Sequence, residues 1–182
     1  MTCVVVLADE QDQAFFDRLV EMVCSDIPII QVWKGEICTK SNHAAMLITD
    51  HESFKKIRLK PQIIIFGGKN CHDISHLATE NTVVIANSCD HGQIEYISAT
   101  KLPAITCGLF AKDTITLSSI ERDRAVINLQ RSITCFNGET AEPQEIPVYF
   151  KQATDSYLLM ASAAIFILTG NAARLSDSLL KI

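Results

Sequence analysis

The chain has 182 residues, of which 48% are hydrophobic and 20% charged, and its formal net charge is −5. A domain of this length buries roughly 70% of the surface that its unfolded chain exposes, so we expect one folded domain over residues 1–182 rather than a disordered protein. The negative charge and the lack of an extended Lys and Arg cluster argue against nucleic-acid binding.

The cysteines and the apolar segments indicate the compartment. Seven cysteines and no recognisable signal peptide favour a reducing environment, in which Cys3, Cys24 and Cys107 serve as small core hydrophobes. The longest apolar stretch, residues 157–168, is shorter than the ~20 residues that cross a bilayer. We therefore expect a cytoplasmic protein with no membrane contact.

The first part of the chain alternates short apolar runs with helical patterns. Residues 3–8 form a continuous, largely β-branched run, which is typical of a strand covered on both faces. Residues 11–24 repeat apolar side chains every three or four positions, as an amphipathic helix does. Similar patterns predict strands at residues 28–33, 45–49, 63–66, 83–86 and 104–106, with short helices near residues 74–78 and 93–99. Strands that alternate with helices form a parallel sheet.

After Gly108 the pattern changes to an alternation of polar and apolar residues, which is typical of half-exposed antiparallel strands. Asn137-Gly138 predicts a tight turn, and Pro147 places its strand at a sheet edge or at the start of the strand. The predicted strands lie at residues 114–117, 125–130 and 146–150.

The chain closes with an apolar helix over residues 154–169, which Gly170 should end. The predicted fold class is therefore α/β. It has a mainly parallel, doubly wound sheet flanked by helices, an antiparallel hairpin extension near residues 113–150, and a long C-terminal helix.

Three segments in this order resemble the central domain of Mur-type peptide ligases. Residues 83–90 (VVIANSCD) resemble the family's strand that ends in Asn-Ala-Asp-Asp, and residues 103–108 (PAITCG) resemble its next strand, which also closes on Gly. Residues 158–165 are similar to the family's small-residue helix. The match covers residues 82–170, about half of the chain, and corresponds to the carboxyl half of that domain.

The resemblance implies a role for two polar residues. In the family, the Asn and the last Asp of the motif approach the adenine and ribose of ATP, so Asn87 and Asp90 are the equivalent positions here. Cys89 replaces an acid of the motif. A structural alternative is that Asn87 and Asp90 cap the following helix, and the two roles are compatible.

The groups that phosphoryl transfer depends on are missing from the sequence. Residues 67–70 (GGKN) follow a strand, but Asn70 stands where a phosphate loop has Ser or Thr, and Ile63 stands where it has its first Gly. Residues 155–156 (DS) stand where the family has a His-Asn pair, and we expect no ligase domain of the family after the last helix. We therefore expect no ATP-dependent ligase activity from this chain on its own.

Ligands of open parallel sheets bind at the carboxyl ends of the strands. The glycines after the fourth predicted strand, with the charge of Lys69, would suit a small anion, and the alternative there is a tight turn with a solvent-facing lysine. The rim residues that we expect to lie together are Asp9, Gly67, Gly68, Lys69, Asn87 and Asp90.

Cysteine and histidine residues also follow two of the predicted strands. Cys71, His72 and His76 follow one strand, and residues 89–91 (CDH) follow another. Zinc needs three or four converging ligands, and these spacings match no standard pattern, so we predict no metal site.

Three functional hypotheses follow. The leading one is a non-catalytic binding or interaction domain that retains a weak site for ATP, another adenine nucleotide or a small anion, and that self-associates. The alternatives are a small enzyme that uses Lys69, Asp90 or a cysteine at the rim, and a structural subunit of a larger complex.

Overall fold

The computed structural model describes residues 1–39, 41–54, 60–68, 74–150, 154–177 and 179–180. The strands in this part of the chain are β1 (Thr2–Leu7), β2 (Ile29–Trp33), β3 (Glu36–Thr39), β4 (Met46–Asp50), β5 (Ile63–Phe66), β6 (Val83–Asn87), β7 (Ala104–Cys107), β8 (Ile115–Ile120), β9 (Arg124–Leu129), β10 (Ile133–Thr134), β11 (Thr140–Ala141), β12 (Gln144–Phe150) and β13 (Leu179–Leu180). The helices are α1 (Gln13–Cys24), α2 (His51–Phe54), α3 (His91–Thr100), α4 (Ser156–Leu168) and α5 (Ala172–Asp177), with a 3-10 turn at Glu10–Asp12.

Within the described residues, eleven strands form one sheet in the order β13-β12-β9-β8-β7-β6-β5-β1-β4-β2-β3. The neighbours from β2 through β4, β1, β5, β6 and β7 to β8 are all parallel. Antiparallel pairs occur where β3 joins β2 and where β9 joins β8 and β12. The mainly parallel sheet with an antiparallel hairpin extension is therefore confirmed.

Helices cover both faces of the sheet, as alternate residues of β1 show. Val4 and Val6 belong to the hydrophobic core under α1 and α4. Cys3, Val5 and Leu7 point into a second core, which includes Phe54 of α2 and is bordered by side chains of α3. Because both faces of β1 are buried, its sequence is apolar throughout, and the doubly wound arrangement is confirmed.

The last long helix, α4, lies deep in the first core. All residues from 157 to 168 are buried, and the side chain of Asp155 caps the helix by accepting a hydrogen bond from the Leu158 N–H at 3.0 Å. Gly170, with φ of 72°, follows its end as predicted. None of the helices in the described part of the chain is both long and apolar enough to cross a bilayer.

Two local predictions need correction. The stretch after Ile74 is a turn, in which the N–H groups of residues 77 and 78 both bond to the Ile74 carbonyl at 2.9 Å, and not a helix. Of the three predicted core cysteines, Cys24 is only half buried. The predicted tight turn at Asn137-Gly138 is confirmed, since Gly138 has φ of 86° and the turn joins β10 and β11 in a small separate hairpin.

Candidate functional site

A cleft of about 390 Å³ opens at the carboxyl ends of β5 and β6, and we call it the β5–β6 cleft. Four of the predicted rim residues line it: Gly67, Gly68, Asn87 and Asp90. They meet because parallel strands all end at the same edge of a sheet. Lys69 lies outside the described residues.

The β6–α3 turn fixes the two polar residues of the cleft. Asp90 is the N-cap of α3, and its Oδ1 accepts a hydrogen bond from the Gln93 N–H at 3.2 Å. The Asn87 Oδ1 accepts from the Cys89 N–H at 3.0 Å, which closes a local turn. The capping alternative is therefore correct for Asp90, whereas Asn87 stabilises the turn before the helix.

Gln93 joins the two strand-end loops, a role that no pattern in the sequence indicates. Its side chain is only 3% exposed. The Oε1 accepts from the Asn87 N–H at 2.8 Å, and the Nε2 donates to the Gly68 carbonyl at 3.0 Å. The amide thus ties the loop after β5 to the loop after β6 and sets the width of the cleft.

The two glycines allow the turn after β1 to approach the loop after β5 closely. A Cβ atom on Gly67 would lie 2.9 Å from Val6 Cγ1, and one on Gly68 would lie 2.1 Å from Asp12 Oδ2. A side chain at either position would therefore have to displace its neighbours. Close approach, rather than positive φ, is the reason for glycine at both positions.

The turn between β1 and α1 brings the Asp12 carboxylate to the cleft. This is the first strand-to-helix turn of the fold, the place where dinucleotide-binding sheets carry their phosphate-binding glycines. Here it holds Asp9, Glu10 and Asp12, and Asp12 Oδ2 accepts a hydrogen bond from the Asp9 N–H at 3.1 Å.

The β5–β6 cleft is therefore acidic where it is described. Asp12, Asp90 and Asp155 line it, and none of its described lining residues is Lys or Arg.

One wall of the β5–β6 cleft is aromatic. The rings of Phe15 and Tyr157 stack with their centroids 5.7 Å apart and their planes at 19°. The Tyr157 hydroxyl donates to the Ile85 carbonyl at 3.2 Å, which anchors α4 to β6. Burial raises the pKa of Tyr157 well above its ordinary value, so this hydroxyl stays protonated and holds the ring in place.

Asp9 lines a different cleft, so the predicted single rim is divided. This second cleft, of about 480 Å³, lies at the carboxyl ends of β1, β2 and β4, and we call it the β1–β4 cleft. At its base, Asp50 is 3% exposed and accepts hydrogen bonds from the Ser53 N–H and hydroxyl at 2.8 and 2.6 Å. It also accepts from the Lys34 N–H at 2.9 Å, so its carboxylate holds the β2–β3 turn in place.

The Cys and His residues noted in the sequence do not assemble into one site in the described structure. His76 lines the β1–β4 cleft, whereas Cys89 lines the β5–β6 cleft, and Cys71 and His72 lie outside the described residues. Across the described ranges, no group of three or more His, Cys, Asp or Glu side chains is arranged to hold a metal ion.

Comparison with known proteins identifies the fold of this chain through solved structures alone. No protein-family model matches the sequence, and no curated protein matches it. Among solved structures, MurF from Acinetobacter baumannii covers 97% of this chain with a TM-score of 0.61 at 10% identity, and 46% of the MurF chain is matched. MurF from Thermotoga maritima, solved in complex with ADP, covers 97% with a TM-score of 0.57 at 10% identity, and 48% of that chain is matched.

A murein peptide ligase from Psychrobacter arcticus is similar in the same way, with a TM-score of 0.53 at 10% identity over 96% of this chain and 46% of its own. The present chain thus spans about half the length of these ligases. The likeness extends over nearly the whole chain, beyond the residues 82–170 that carried the resemblance in the sequence. This chain has the α/β fold that is found in Mur ligases.

Proposed function

We propose that this chain is a non-catalytic binding domain whose β5–β6 cleft takes the nucleoside part of an adenine nucleotide and disfavours its phosphates. The observation that carries the proposal is the composition of the cleft, where Asn87 and Asp90 lie beside an aromatic wall and between carboxylates. A cleft of this kind suits a planar, hydrogen-bonding and uncharged group better than a polyphosphate.

Asn87 and Asp90 each keep polar atoms for a ligand. Asn87 uses its Oδ1 in the local turn, and its Nδ2 makes no hydrogen bond to another described residue. Asp90 uses its Oδ1 to cap α3, and its Oδ2 is left to accept a hydrogen bond from a ligand. A side-chain N–H beside a carboxylate oxygen complements the ring nitrogens of a base and the hydroxyls of a ribose. The neighbouring Phe15 ring offers an aromatic face for stacking.

The carboxylates set the preference against phosphate. A phosphate charge about 8 Å from one carboxylate is disfavoured by roughly 0.5–2 kcal/mol, depending on how well water screens the pair. Asp12 and Asp155 add to this repulsion, since they line the same cleft. The ADP bound by the Thermotoga maritima MurF makes an adenine nucleotide the first ligand class to test here.

The test is an affinity series by calorimetry with adenosine, AMP and ATP, in buffer that contains EDTA so that magnesium does not mask the phosphate charge. We expect adenosine to bind at least about tenfold more tightly than ATP. Asn87→Ala should weaken adenosine binding by about tenfold, the effect of about one lost hydrogen bond to a ligand. Asn128→Ala, on half-buried β9, is the matched control and should bind adenosine normally.

Two results would contradict the proposal. ATP binding that is tighter than adenosine binding and that is lost in Lys69→Ala would show that the loop after β5 holds phosphate, as an anion site would. Magnesium-dependent ATP hydrolysis by the purified chain would show that the domain is catalytic.

A further inference from the structure

Strand β3 forms an open edge of the sheet. It is the last strand in the sheet order and, within the described residues, pairs only with β2. All of its residues are exposed, and Ile37 is 73% exposed, although an isoleucine in a strand is usually covered. An uncovered edge strand with a protruding apolar side chain is a template for the addition of another strand.

The register of the β2–β3 hairpin shows which backbone groups face outward. Trp33 and Glu36 pair on either side of the two-residue turn, and Val32 pairs with Ile37 next. Hydrogen-bonded and non-bonded pairs alternate along an antiparallel ladder, and the pair that flanks such a turn is bonded. The N–H and C=O of Ile37, and likewise those of Thr39, therefore point away from β2 and are placed to pair with an added strand.

The two faces of β3 differ in character. Cys38 pairs with Gln31 and faces α1, whereas Ile37 pairs with Val32 on the opposite face. The α1 side opens into a groove of about 530 Å³ between α1, β2 and β3, which we call the β3 groove. An added strand would place alternate side chains in the β3 groove and beside Ile37.

The charge of the β3 groove indicates which side chains of an added strand would bind there. Asp17 and Glu21 are exposed, lie one turn apart on α1 and both line the groove, as does Asp26. Arg174 donates to the backbone carbonyl of Asp26 at one end. None of the groove's described lining residues is Lys or Arg, so the part of the groove that the structure describes is acidic.

We propose that β3 and the β3 groove bind an extended peptide segment of another protein in which basic and apolar residues alternate. The backbone of the segment pairs with Ile37 and Thr39. Its apolar side chains pack beside Ile37, and its Lys or Arg side chains lie over Asp17 and Glu21. Addition of a strand supplies affinity through the backbone, and alternate side chains supply specificity. A second copy of this chain fits less well, because edge-to-edge pairing would bring two acidic grooves together.

The probe is the fluorescein-labelled, amidated peptide Val-Lys-Val-Lys-Val-Lys, titrated with the purified protein and followed by anisotropy. We expect saturable binding that weakens as the salt concentration rises, and at least about tenfold weaker binding of Val-Glu-Val-Glu-Val-Glu. Asp17→Asn and Glu21→Gln should each weaken binding by about threefold to tenfold. Glu95→Gln, an exposed site on α3, is the matched control and should change nothing.

Backbone pairing is tested without any change to the protein. Residues whose N–H groups face β3 alternate along the peptide, so N-methylation at the Val positions and at the Lys positions should have unequal effects. One methylated peptide should lose at least about tenfold in affinity, since its hydrogen bonds to β3 are removed, and the other should keep most of it.

Four results would overturn the proposal: no saturable binding, equal binding of the Lys and Glu peptides, equal effects of the two methylation patterns, or a protein dimer in sedimentation that Ile37→Pro dissociates. The last would show that a second copy occupies the edge.

Discussion

Replacement of Gln93 by Met tests whether the β5–β6 cleft is held by a side-chain clamp. Met has nearly the same length and volume as Gln but neither donates nor accepts strongly at its end. The change therefore removes the hydrogen bonds of 2.8 Å to the Asn87 N–H and 3.0 Å to the Gly68 carbonyl without opening a cavity.

The expected loss of stability follows from those two bonds. Each contributes a net ~1 kcal/mol, so the free energy of unfolding should fall by about 2 kcal/mol. For a domain of this size, that corresponds to a drop in Tm of about 4–8 °C. Urea unfolding followed by circular dichroism measures the first quantity, and a thermal scan measures the second. Because the loops that carry Asn87 and Gly68 would also separate, adenosine affinity should fall as well.

A matched variant and a charged variant make the result specific. Gln130→Met removes an exposed amide that donates to Thr116 Oγ1 at 3.1 Å. This change should lower the free energy of unfolding by less than about 0.5 kcal/mol. Gln93→Glu at neutral pH places a carboxylate against the Gly68 carbonyl. It should therefore be less stable than wild type, and its stability should recover as the pH falls from neutral toward the ordinary Glu pKa of about 4.3, because the protonated carboxyl donates again. A Gln93→Met variant as stable as Gln130→Met would refute the clamp.

Two further predictions concern buried polar groups. Asp113 is 1% exposed and accepts hydrogen bonds from the Ser88 hydroxyl at 2.8 Å and the Phe110 N–H at 2.9 Å. Asp113→Ala should therefore lower the free energy of unfolding, measured with urea, by about 2–4 kcal/mol. A loss below about 1 kcal/mol would count against this network. Burial raises the pKa of Cys3 from 9.0 to about 11. The stability that its neutral thiol contributes is therefore complete below pH 9 and is lost as the pH rises from 9 through 11, by at most about 3 kcal/mol. Unfolding measured across that range should show a steeper decline for wild type than for Cys3→Ala, and equal slopes would contradict the assignment.

The elements that the sequence predicted well are those that burial on both faces makes apolar. β1 and β5 appear in the sequence as almost entirely apolar runs because helices cover each side of them. β3 has no such pattern. All of its residues are exposed, and only pairing with β2 makes it a strand, so local composition does not reveal it. The turn after Ile74 was predicted as a helix because its apolar spacing reflects contact with the second core and not helical periodicity.

The candidate site was half predictable for a related reason. The rule that parallel strands end at one edge of the sheet correctly predicted that Gly67, Gly68, Asn87 and Asp90 lie close together. It could not separate the β1–β4 cleft from the β5–β6 cleft. Nor could it identify Gln93, because one glutamine in an otherwise polar helix turn resembles a solvent-facing residue until the fold buries it.

The most consequential residue that the sequence did not assign to the site is Asp12. Its carboxylate reaches the β5–β6 cleft only because Gly68 has no side chain, and that contact joins two turns more than fifty residues apart. A parallel α/β sheet determines where a ligand can lie, since the strand ends and helix starts converge there. The charge of the turns at that edge then determines which part of a nucleotide is favoured. With Asp12, Asp90 and Asp155 around the β5–β6 cleft, the same architecture that in other proteins grips phosphate should here favour the base and the sugar.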